Sequence, residues 1–304
     1  MTPTAPPPTP DFSPAPAART NPDNTARRFG LVIVGDEILS GKRADKHMSH
    51  VIELLKARGL QLDYAEYVGD SPERITATLK RAFESGDVVF STGGIGATPD
   101  DHTRQCAARA LGRELALHPQ AEVLIRQRMQ DLAKEQGTVY QPVHPDNIHR
   151  LNMGMFPVGA RIIPNPYNKI PGFFCSLQGD APASVGAHGG VYFVPGFPVM
   201  AWPMMAWVLD TFYAHLFQTA AWIEQSVIVM GAMEAALTPL MQALEHDFAG
   251  IKVFSLPSVD HPQYGRHIEL GVKGAPDQVA QAYPALLQGL QQMKATLGPE
   301  LVRS

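Results

Sequence analysis

An apolar strand runs into a glycine-rich turn at Asp87-Val88-Val89-Phe90-Ser91-Thr92-Gly93-Gly94-Ile95-Gly96-Ala97-Thr98-Pro99-Asp100-Asp101. A helix-forming stretch follows directly, over about residues 101–111. Glycine allows positive φ and lets backbone N–H groups approach a ligand closely. Successive N–H groups near a helix N-terminus favour an anionic oxygen. The stretch therefore predicts an anion-binding turn between a buried strand and a helix.

The spacing of these glycines is not that of the common phosphate-binding motifs. It lacks the Rossmann pattern, and no Gly-Lys-Ser/Thr follows it as in a Walker loop. The plainer interpretation is a strand-to-helix turn in which Asp101 is the helix N-cap. Both interpretations remain open from the residues alone.

The sequence before this turn alternates between strand and helix patterns. Phe29–Val34 is a continuous apolar run, and Gln61–Val68 reads as a second strand. Helices are predicted after Asp45 and after Ser71, where Ser71-Pro72-Glu73 supplies a capping hydroxyl, a proline and an acid. This β-α-β-α-β order predicts a parallel sheet with right-handed crossovers. Ligands in such sheets bind beyond the carboxyl ends of the strands.

Acidic residues follow all three of these strands. The turns hold five of them, Asp36, Glu37, Asp70, Asp100 and Asp101. If they gather at one sheet edge, a hard divalent cation bridging to phosphate oxygens would relieve their repulsion. For each acid taken singly, capping or solvation is the alternative role.

The chain is predicted to have three parts. Residues 1–28 are Pro-rich with almost no aliphatic side chains, so a disordered tail is expected. Residues 29–217 form the α/β domain, with further strands near Arg161–Ile163, Phe173–Leu177 and Val191–Val194. Residues 223–304 form a small α+β domain of three strands and two helices, the second helix being Pro276–Thr296.

Composition excludes several classes of protein. The net charge of −4 argues against nucleic acid as the main partner, because phosphate backbones are bound by basic surfaces. The two cysteines, Cys106 and Cys175, are too isolated for a disulfide framework or a zinc site. No apolar run has membrane-spanning length, and the first residues lack the apolar region of a secretory signal. A cytoplasmic protein without membrane contact is expected.

Four motifs together resemble the molybdopterin-binding domain family of MoaB/MogA-like proteins. They are Gly35-Asp36-Glu37-Ile38-Leu39-Ser40-Gly41, Val68-Gly69-Asp70, Thr92 to Asp101, and Val194-Pro195-Gly196-Phe197-Pro198. Over about residues 29–217 the chain is most similar to the amino-terminal part of the competence/damage-inducible protein A (CinA) family. The domain after residue 225 resembles that family's middle domain. The resemblance implies that the C-terminal amidase domain is lacking.

The resemblance implies a three-layer α/β/α sandwich with a mostly parallel sheet. It implies a small phosphorylated ligand, either molybdopterin or a nucleotide, and homo-oligomers that are dimers or trimers. CinA-type relatives hydrolyse the pyrophosphate of ADP-ribose with a divalent metal, so Mg, Mn or Co is the expected cofactor. Two acids match essential positions of the related adenylyltransferases, and they are the candidate catalytic and metal-binding residues Asp70 and Asp101.

The candidate ligand-binding residues come from the same turns and from a later loop. They are Gly35, Asp36, Glu37, Thr92, Gly93, Gly94, Gly96, Thr98, Asp100, Asn165, Lys169, Pro195 and Gly196. Hydroxyl groups of Thr92, Thr98 and Thr103 are expected to add donors to the glycine turn. His102 and His149 are weaker candidates, for which an exposed helix start and a solvated loop are the alternatives.

The chain departs from the family pattern at four positions. Ala97 replaces a proline, His47 replaces an asparagine, and Asn168 stands where a glycine is usual and is expected to adopt the left-handed conformation. The usual glutamate after Pro-Gly-x-Pro is absent, and Met200 stands in that region. Its loss favours one alternative to an enzyme, a non-catalytic molybdopterin- or nucleotide-binding module. A second alternative, an oligomeric scaffold with a vestigial pocket, is supported only by the Met- and Trp-rich segment that follows. The Met- and Trp-rich segment 200–207 is predicted to be core or an oligomer contact.

Overall fold

The computed structural model describes residues 27–177, 189–217 and 223–303. The chain divides into two compact units, Met1–Phe217 and Gln218–Ser304. The predicted disordered tail, residues 1–28, lies outside the described residues except for its last two. Of these, Arg28 forms an ion pair with Asp87, with 3.2 Å between Nε and Oδ1.

A six-stranded sheet organises the first unit. Its spatial order is β2-β1-β3-β8-β7-β6. The strands β2, β1, β3 and β8 are parallel, and β7 and β6 complete the sheet through antiparallel pairings. The strands of the unit are β1 (Phe29–Val34), β2 (Leu62–Val68), β3 (Val88–Thr92), β4 (Leu115–Leu117), β5 (Met155–Pro157), β6 (Arg161–Ile163), β7 (Gly172–Cys175) and β8 (Gly190–Val194). The mostly parallel sheet expected from the strand–helix alternation is confirmed.

Helices cover both faces of this sheet. They are α1 (Asp36–Leu39), α2 (His47–Lys56), α3 (Pro72–Ser85), α4 (Thr103–Leu111), α5 (Pro119–Glu135), α6 (Pro145–Arg150) and α7 (Pro198–Phe212). On one face α3, α4 and α5 bury Leu79, Cys106 and Ile125 against the sheet. On the other face α2 and α7 bury Leu55 and Met205. The three-layer α/β/α sandwich is therefore confirmed.

Aromatic rings fill the core beside the central strands. Phe173 stacks on Phe193 with 4.3 Å between ring centroids, and Phe156 stacks on Phe173 at 4.5 Å. All three rings are buried. Because Phe193 belongs to β8, this stack helps to fix the strand whose carboxyl end lies beside the glycine turn.

Three short elements of this unit were not predicted from the sequence. The short strands β4 and β5 pair with each other and were not predicted, because three-residue strands leave too short a periodic pattern to read. The short helix α6, which Pro145 begins, was not predicted either. Short elements of this kind are specified by their tertiary contacts more than by local pattern.

The second unit is a four-stranded antiparallel sheet with two helices. Its order is β10-β11-β9-β12. The elements are β9 (Ile223–Met230), α8 (Glu234–Asp247), β10 (Lys252–His261), β11 (Gly265–Gly274), α9 (Pro276–Gln292) and β12 (Thr296–Arg303). The buried side chains Leu237, Leu286 and Leu290 of the helices join Val229 and Leu270 of the sheet in one core.

The last strand, β12, was missed in the sequence prediction, which extended the preceding helix to Thr296. The helix ends at Gln292 instead. Gly298 and Pro299 interrupt the alternation of side chains in β12, and the register with β9 shifts between Leu297 and Glu300. Proline is tolerated on an edge strand because no ladder hydrogen bond needs its missing N–H.

None of the helices in the described parts of the chain combines the length and the apolar composition that a membrane span requires.

Candidate functional site

The glycine turn leaves β3 in a conformation that only glycine adopts at low cost. Gly93 has φ of 93° and Gly94 has φ of 67°. A Cβ on Gly93 would lie 2.3 Å from the carbonyl oxygen of Val34, and one on Gly94 would lie 2.1 Å from Oγ1 of Thr103. The Gly93 N–H donates to Val194 O at 3.2 Å. The turn is thus closely packed between β1, β8 and the start of α4.

Three backbone N–H groups of the turn remain available to an acceptor. Among the described residues, no backbone hydrogen bond uses the N–H of Gly94, Ile95 or Gly96. The neighbouring Gly94 carbonyl is engaged, since it accepts from the Thr103 N–H at 3.0 Å. Consecutive N–H groups without internal partners at a turn form a concavity that favours an anion. Anion binding at this turn stays a prediction, which these N–H groups support.

Asp101 does not cap the following helix, so the N-cap role considered for Asp101 is wrong. Helix α4 begins at Thr103, and His102 holds the N-cap position without a side-chain bond. Asp101 Oδ2 instead accepts from the Thr98 N–H at 2.8 Å and from the Thr98 hydroxyl at 2.6 Å. A Cβ on Gly96 would lie 2.6 Å from the same oxygen. The carboxylate therefore faces back onto the glycine turn.

The three threonine hydroxyls predicted to serve a ligand have different positions. Thr98 donates to Asp101, and Thr103 donates to the Gly93 carbonyl at 3.1 Å. Both hydroxyls therefore hold the turn in shape. Thr92 is 1% exposed, and its Oγ1 has no partner among the described residues.

A buried arginine supports the turn, and the sequence prediction did not single it out. Arg104 is 3% exposed, and its guanidinium donates to the Ile95 carbonyl at 2.5 Å. Burial lowers the pKa of Arg104 to about 10, and the negative charge of Asp101 opposes that shift. The group therefore remains a cation at neutral pH and places positive charge beside the turn.

Asp36 and Asp70 join the ends of β1 and β2. The Asp36 N–H donates to Asp70 Oδ2 at 3.0 Å, and the Asp70 N–H donates to Asp36 Oδ1 at 3.1 Å. A Cβ on Gly69 would lie 2.3 Å from Asp36 Oδ1, so a larger residue at position 69 would displace the Asp36 carboxylate. The predicted gathering of these two acids at one edge of the sheet is present.

The carboxyl of Asp70 has an unfavourable environment for its charged form. Desolvation raises its pKa, and the negative charges of Asp36, Glu37 and Asp100 raise it further, while the Asp36 N–H opposes these effects. A raised carboxyl pKa in a group of acids is typical of functional sites.

We expect Asp70→Asn to raise the melting temperature at pH 7. The folded-state pKa of Asp70 lies above its unfolded value, so its favourable contribution is complete below the unfolded pKa and is lost as pH rises through the folded pKa. The amide oxygen can still accept from the Asp36 N–H. Thermal unfolding at pH 7 and pH 3 measures the effect. The same difference in melting temperature between variant and native protein at pH 7 and at pH 3 would contradict this prediction.

The described residues form no group of three or more His, Cys, Asp or Glu side chains arranged to hold a metal ion. Asp36 Oδ1 and Asp70 Oδ2 each already accept a backbone N–H. Glu37 lies 3.8 Å from the guanidinium of Arg43. Magnesium commonly uses one or two carboxylates and completes its shell with water and substrate phosphates. The acids present fit that incomplete type of site and not a cage made by the protein alone.

The Pro195–Gly196 segment reaches the same edge of the sheet after β8. His47 is 4% exposed, and its Nε2 lies 3.0 Å from the Gly196 carbonyl oxygen. A Cβ on Gly196 would lie 3.4 Å from Cα of Gly93. His47 occupies the position where the family pattern has asparagine. Its imidazole, on α2, makes a polar contact to the Pro195–Gly196 segment.

The loop containing Asn165 and Lys169 corrects one expectation. Lys169, and not Asn168, takes the left-handed conformation, with φ of 66°. The Asn168 side-chain oxygen instead accepts from the Asn165 side-chain amide and from the Ile170 N–H, which holds the loop together. The ammonium of Lys169 forms an ion pair with Asp131 at 2.5 Å. A phosphate contact by Lys169 would require this pair to open.

Met200, in the region of the absent glutamate, contacts this loop. Its sulfur accepts from the Asn168 amide at 3.2 Å. Further along α7, Met204 and Met205 are fully buried within the first unit, as predicted for core residues. Trp202 is partly buried and stacks on His50 at 4.0 Å between ring centroids.

A cleft of about 360 Å³ opens beside the glycine turn. Thr98 and Asp101 form one side, and His149 and Asn152 form another. The Nε2 atom of His149 lies 2.8 Å from the Ala97 carbonyl oxygen. No spacing or composition signal in the sequence links residues 52 positions apart, so only the tertiary structure places His149 beside the turn.

Comparisons with known proteins agree on the family to which this chain is similar. A family described as a probable molybdopterin binding domain matches residues 30–215. A CinA-like protein of Citrifermentans bemidjiense is 31% identical over 215 residues, which are 71% of this chain and 47% of that protein. Protein TV0584 of Thermoplasma volcanium is 26% identical over 227 residues, covering 75% of this chain and 79% of that protein. The chain thus spans about half the length of the CinA-like relative.

One solved structure is the CinA protein of Thermoplasma acidophilum, which is described as having unknown function. It is 26% identical, with a TM-score of 0.49, over 61% of this chain and 99% of that one. The molybdopterin biosynthesis enzyme MoaB of Thermus thermophilus is 18% identical, with a TM-score of 0.37, over 63% of this chain and 94% of that one.

Proposed function

This chain belongs to the molybdopterin-binding domain family, and we propose that it binds a small phosphorylated ligand, a pterin or a nucleotide, at the turn Gly93–Gly96. The observation that carries the proposal is the set of N–H groups of Gly94, Ile95 and Gly96, which have no backbone acceptor among the described residues. A phosphate oxygen is an acceptor of the right charge for such a group.

Charge near the turn supports the same ligand. The buried guanidinium of Arg104 is fixed against the Ile95 carbonyl and contributes positive charge. Asp101 holds the turn through Thr98, so the donors are arranged before a ligand arrives. Donors that need no reorganisation bind an oxyanion more strongly than mobile ones.

The finer proposal is metal-dependent hydrolysis of a pyrophosphate such as that of ADP-ribose. Asp70 and Asp101 would hold Mg, Mn or Co together with ligand oxygens, and the cation supplies charge neutralisation at the phosphates. The N–H groups of the turn would stabilise negative charge that develops on a phosphate oxygen. The raised pKa of Asp70 is consistent with a carboxyl that gains from a nearby cation.

Hydrolysis is tested by incubating the purified protein with ADP-ribose and Mg, Mn or Co, with chelator as the blank. The products AMP and ribose 5-phosphate are measured by chromatography. We expect turnover that Asp70→Asn lowers by about 100-fold or more, the scale for loss of an electrostatic group at a reacting centre. Because this variant is expected to be more stable at pH 7, unfolding does not explain a loss of turnover.

Asp247→Asn provides the matched control, since it removes an exposed carboxylate of the second unit. It is expected to leave turnover unchanged. Absence of AMP with all three metals would contradict the hydrolase proposal. Unchanged turnover in Asp70→Asn would contradict the role of that carboxylate.

The second candidate is a binding module that has lost turnover. The observation favouring it is the contact of Met200 with Asn168, because a thioether stands near a position where relatives carry a carboxylate. Saturable binding of ADP-ribose without product would support this candidate. The cytoplasmic location and the dimer or trimer implied by the resemblance remain predictions, as does the absence of nucleic acid among its partners.

A further inference from the structure

The segment that follows β8 packs directly against the glycine turn. The Gly93 N–H donates to the Val194 carbonyl at 3.2 Å. A Cβ on Gly196 would lie 3.4 Å from Cα of Gly93 and 3.8 Å from its nitrogen. Gly93 also packs against Val34, whose carbonyl oxygen would lie 2.3 Å from a Cβ on Gly93. The position of Gly93, the first residue of the proposed anion site, therefore depends on the position of segment 194–196.

The buried imidazole of His47 holds this segment from α2. His47 is 4% exposed, and its Nε2 lies 3.0 Å from the Gly196 carbonyl oxygen. A carbonyl oxygen only accepts, so Nε2 carries the proton and donates it. The Gly196 carbonyl thus receives a hydrogen bond from a side chain 149 positions away in the sequence.

The second ring nitrogen of His47 shows that stability alone does not explain this imidazole. Nδ1 is buried and has no hydrogen-bond partner within the described parts of the chain. A buried acceptor without a partner lowers the stability of the folded state. What the imidazole contributes is the bond from Nε2 to Gly196.

Asp45 fixes the start of α2 and therefore the backbone of His47. Its Oδ1 accepts from the His47 N–H at 2.8 Å, and its Oδ2 accepts from the Met48 N–H at 3.1 Å. The Tyr67 hydroxyl donates to Oδ2 at 2.8 Å. Desolvation raises the pKa of Tyr67 to about 12, and the bond to Asp45 and its negative charge add to that shift, so the hydroxyl keeps its proton at neutral pH. Because Tyr67 belongs to β2, these bonds tie His47 to the six-stranded sheet.

Arg43, from the loop before α2, makes a second contact to the same segment. Its guanidinium carbon lies 5.6 Å from the ring centroid of Phe197, the residue after Gly196. The Arg43 N–H donates to the Glu37 carbonyl at 2.9 Å, which holds the loop. A cation–π contact between exposed groups is weak, so the buried bond of His47 is the principal restraint.

We infer that His47 is a positioning residue for the anion-binding turn. By fixing Gly196 it holds Gly93, and with it the N–H groups of residues 94–96, in the arrangement that accepts a phosphate oxygen. His47 acts through Gly196 and Gly93 without contacting the ligand. The inference rests on the proposed function and adds a residue on which the affinity of that site depends.

Two substitutions of His47 separate its hydrogen bond from its bulk. His47→Leu fills a similar volume without a donor. In His47→Gln the amide nitrogen lies as many bonds from Cβ as Nε2 of histidine, so it can donate to the Gly196 carbonyl. In calorimetric titration with ADP-ribose we expect His47→Leu to raise the Kd about tenfold, the scale of one hydrogen bond, and His47→Gln to stay within about threefold of native.

Spectra of the unliganded proteins test the positioning directly. In ¹⁵N–¹H spectra of glycine-labelled protein, we expect His47→Leu to displace the amide signals of Gly93, Gly94 and Gly96 and His47→Gln to return them towards their native positions. The control is His246→Leu, because the His246 side chain is 88% exposed in the second unit. This control is expected to leave the Kd and these three signals unchanged.

Native affinity together with native glycine signals in His47→Leu would overturn the inference. A glutamine variant that matches the leucine variant in both Kd and spectrum would also overturn it, because the donated N–H would then have no effect. If the native protein does not bind ADP-ribose, the proposed function fails, and the spectra of the unliganded variants still decide whether His47 positions the turn. The two failures therefore give different results.

Discussion

Gly94→Ala is expected to lower the free energy of unfolding by about 2–4 kcal/mol and to abolish binding of phosphorylated ligands. The φ of 67° costs a residue with a Cβ about 1–2 kcal/mol. The new Cβ would also lie 2.1 Å from Thr103 Oγ1, so the hydroxyl must leave its bond to the Gly93 carbonyl. The turn then loses both its shape and the arrangement of its N–H groups. Denaturant unfolding and calorimetric titration with ADP-ribose measure the two effects.

Gly112→Ala is the matched control for this substitution. Gly112 ends α4, has φ of 64°, and has no atom within 4 Å of an added Cβ. Its replacement is expected to cost only the conformational term of about 1–2 kcal/mol and to leave ligand binding unchanged. If Gly94→Ala and Gly112→Ala lower the free energy of unfolding equally, the close packing of Gly94 against Thr103 does not contribute to stability.

Asp101→Ala is expected to lower stability by about 1–3 kcal/mol and to weaken ligand binding by about 100-fold. Two donors of Thr98, its N–H and its hydroxyl, lose the carboxylate oxygen that now accepts them at 2.8 and 2.6 Å. The turn is then free to open, and the buried Arg104 loses the negative charge that favours its protonated form. The same unfolding and titration experiments apply.

Asp101→Asn separates the loss of the acceptor from the loss of charge. Its amide oxygen can still accept from the Thr98 N–H, so stability should fall less than in the alanine variant. If Asp101 also holds a cation, the asparagine variant should lose metal-dependent turnover while it retains most ligand binding. Native affinity and native stability in Asp101→Ala would show that the carboxylate has no part in shaping the turn.

Local sequence signals were sufficient for the sheet and the glycine turn. Ser71 caps α3 and Pro72 begins it, as the residues predict, because capping depends on neighbours in sequence. The burial of β1 and β3 followed from continuous apolar runs. Gly93 and Gly94 take the positive φ that makes glycine necessary at a tight turn.

The remaining features depend on contacts distant in sequence. The Asp101 carboxylate accepts from Thr98 and therefore does not cap the helix. The same carboxylate lies close to Gly96. The sequence around Arg104 gives no sign that this helix residue is buried; only the structure shows its burial beside the turn. His149 reaches Ala97 only because a separate segment folds across the cleft.

The most direct test of the anion-binding turn is a ¹⁵N–¹H spectrum of the protein labelled at glycine, recorded with increasing ADP-ribose. We predict that the amide signals of Gly94 and Gly96 shift in a saturable manner, while that of Gly112 at the other end of α4 stays in place. A spectrum in which the Gly94 and Gly96 signals do not move at saturating ADP-ribose, or in which only glycines of the second unit respond, would contradict the account.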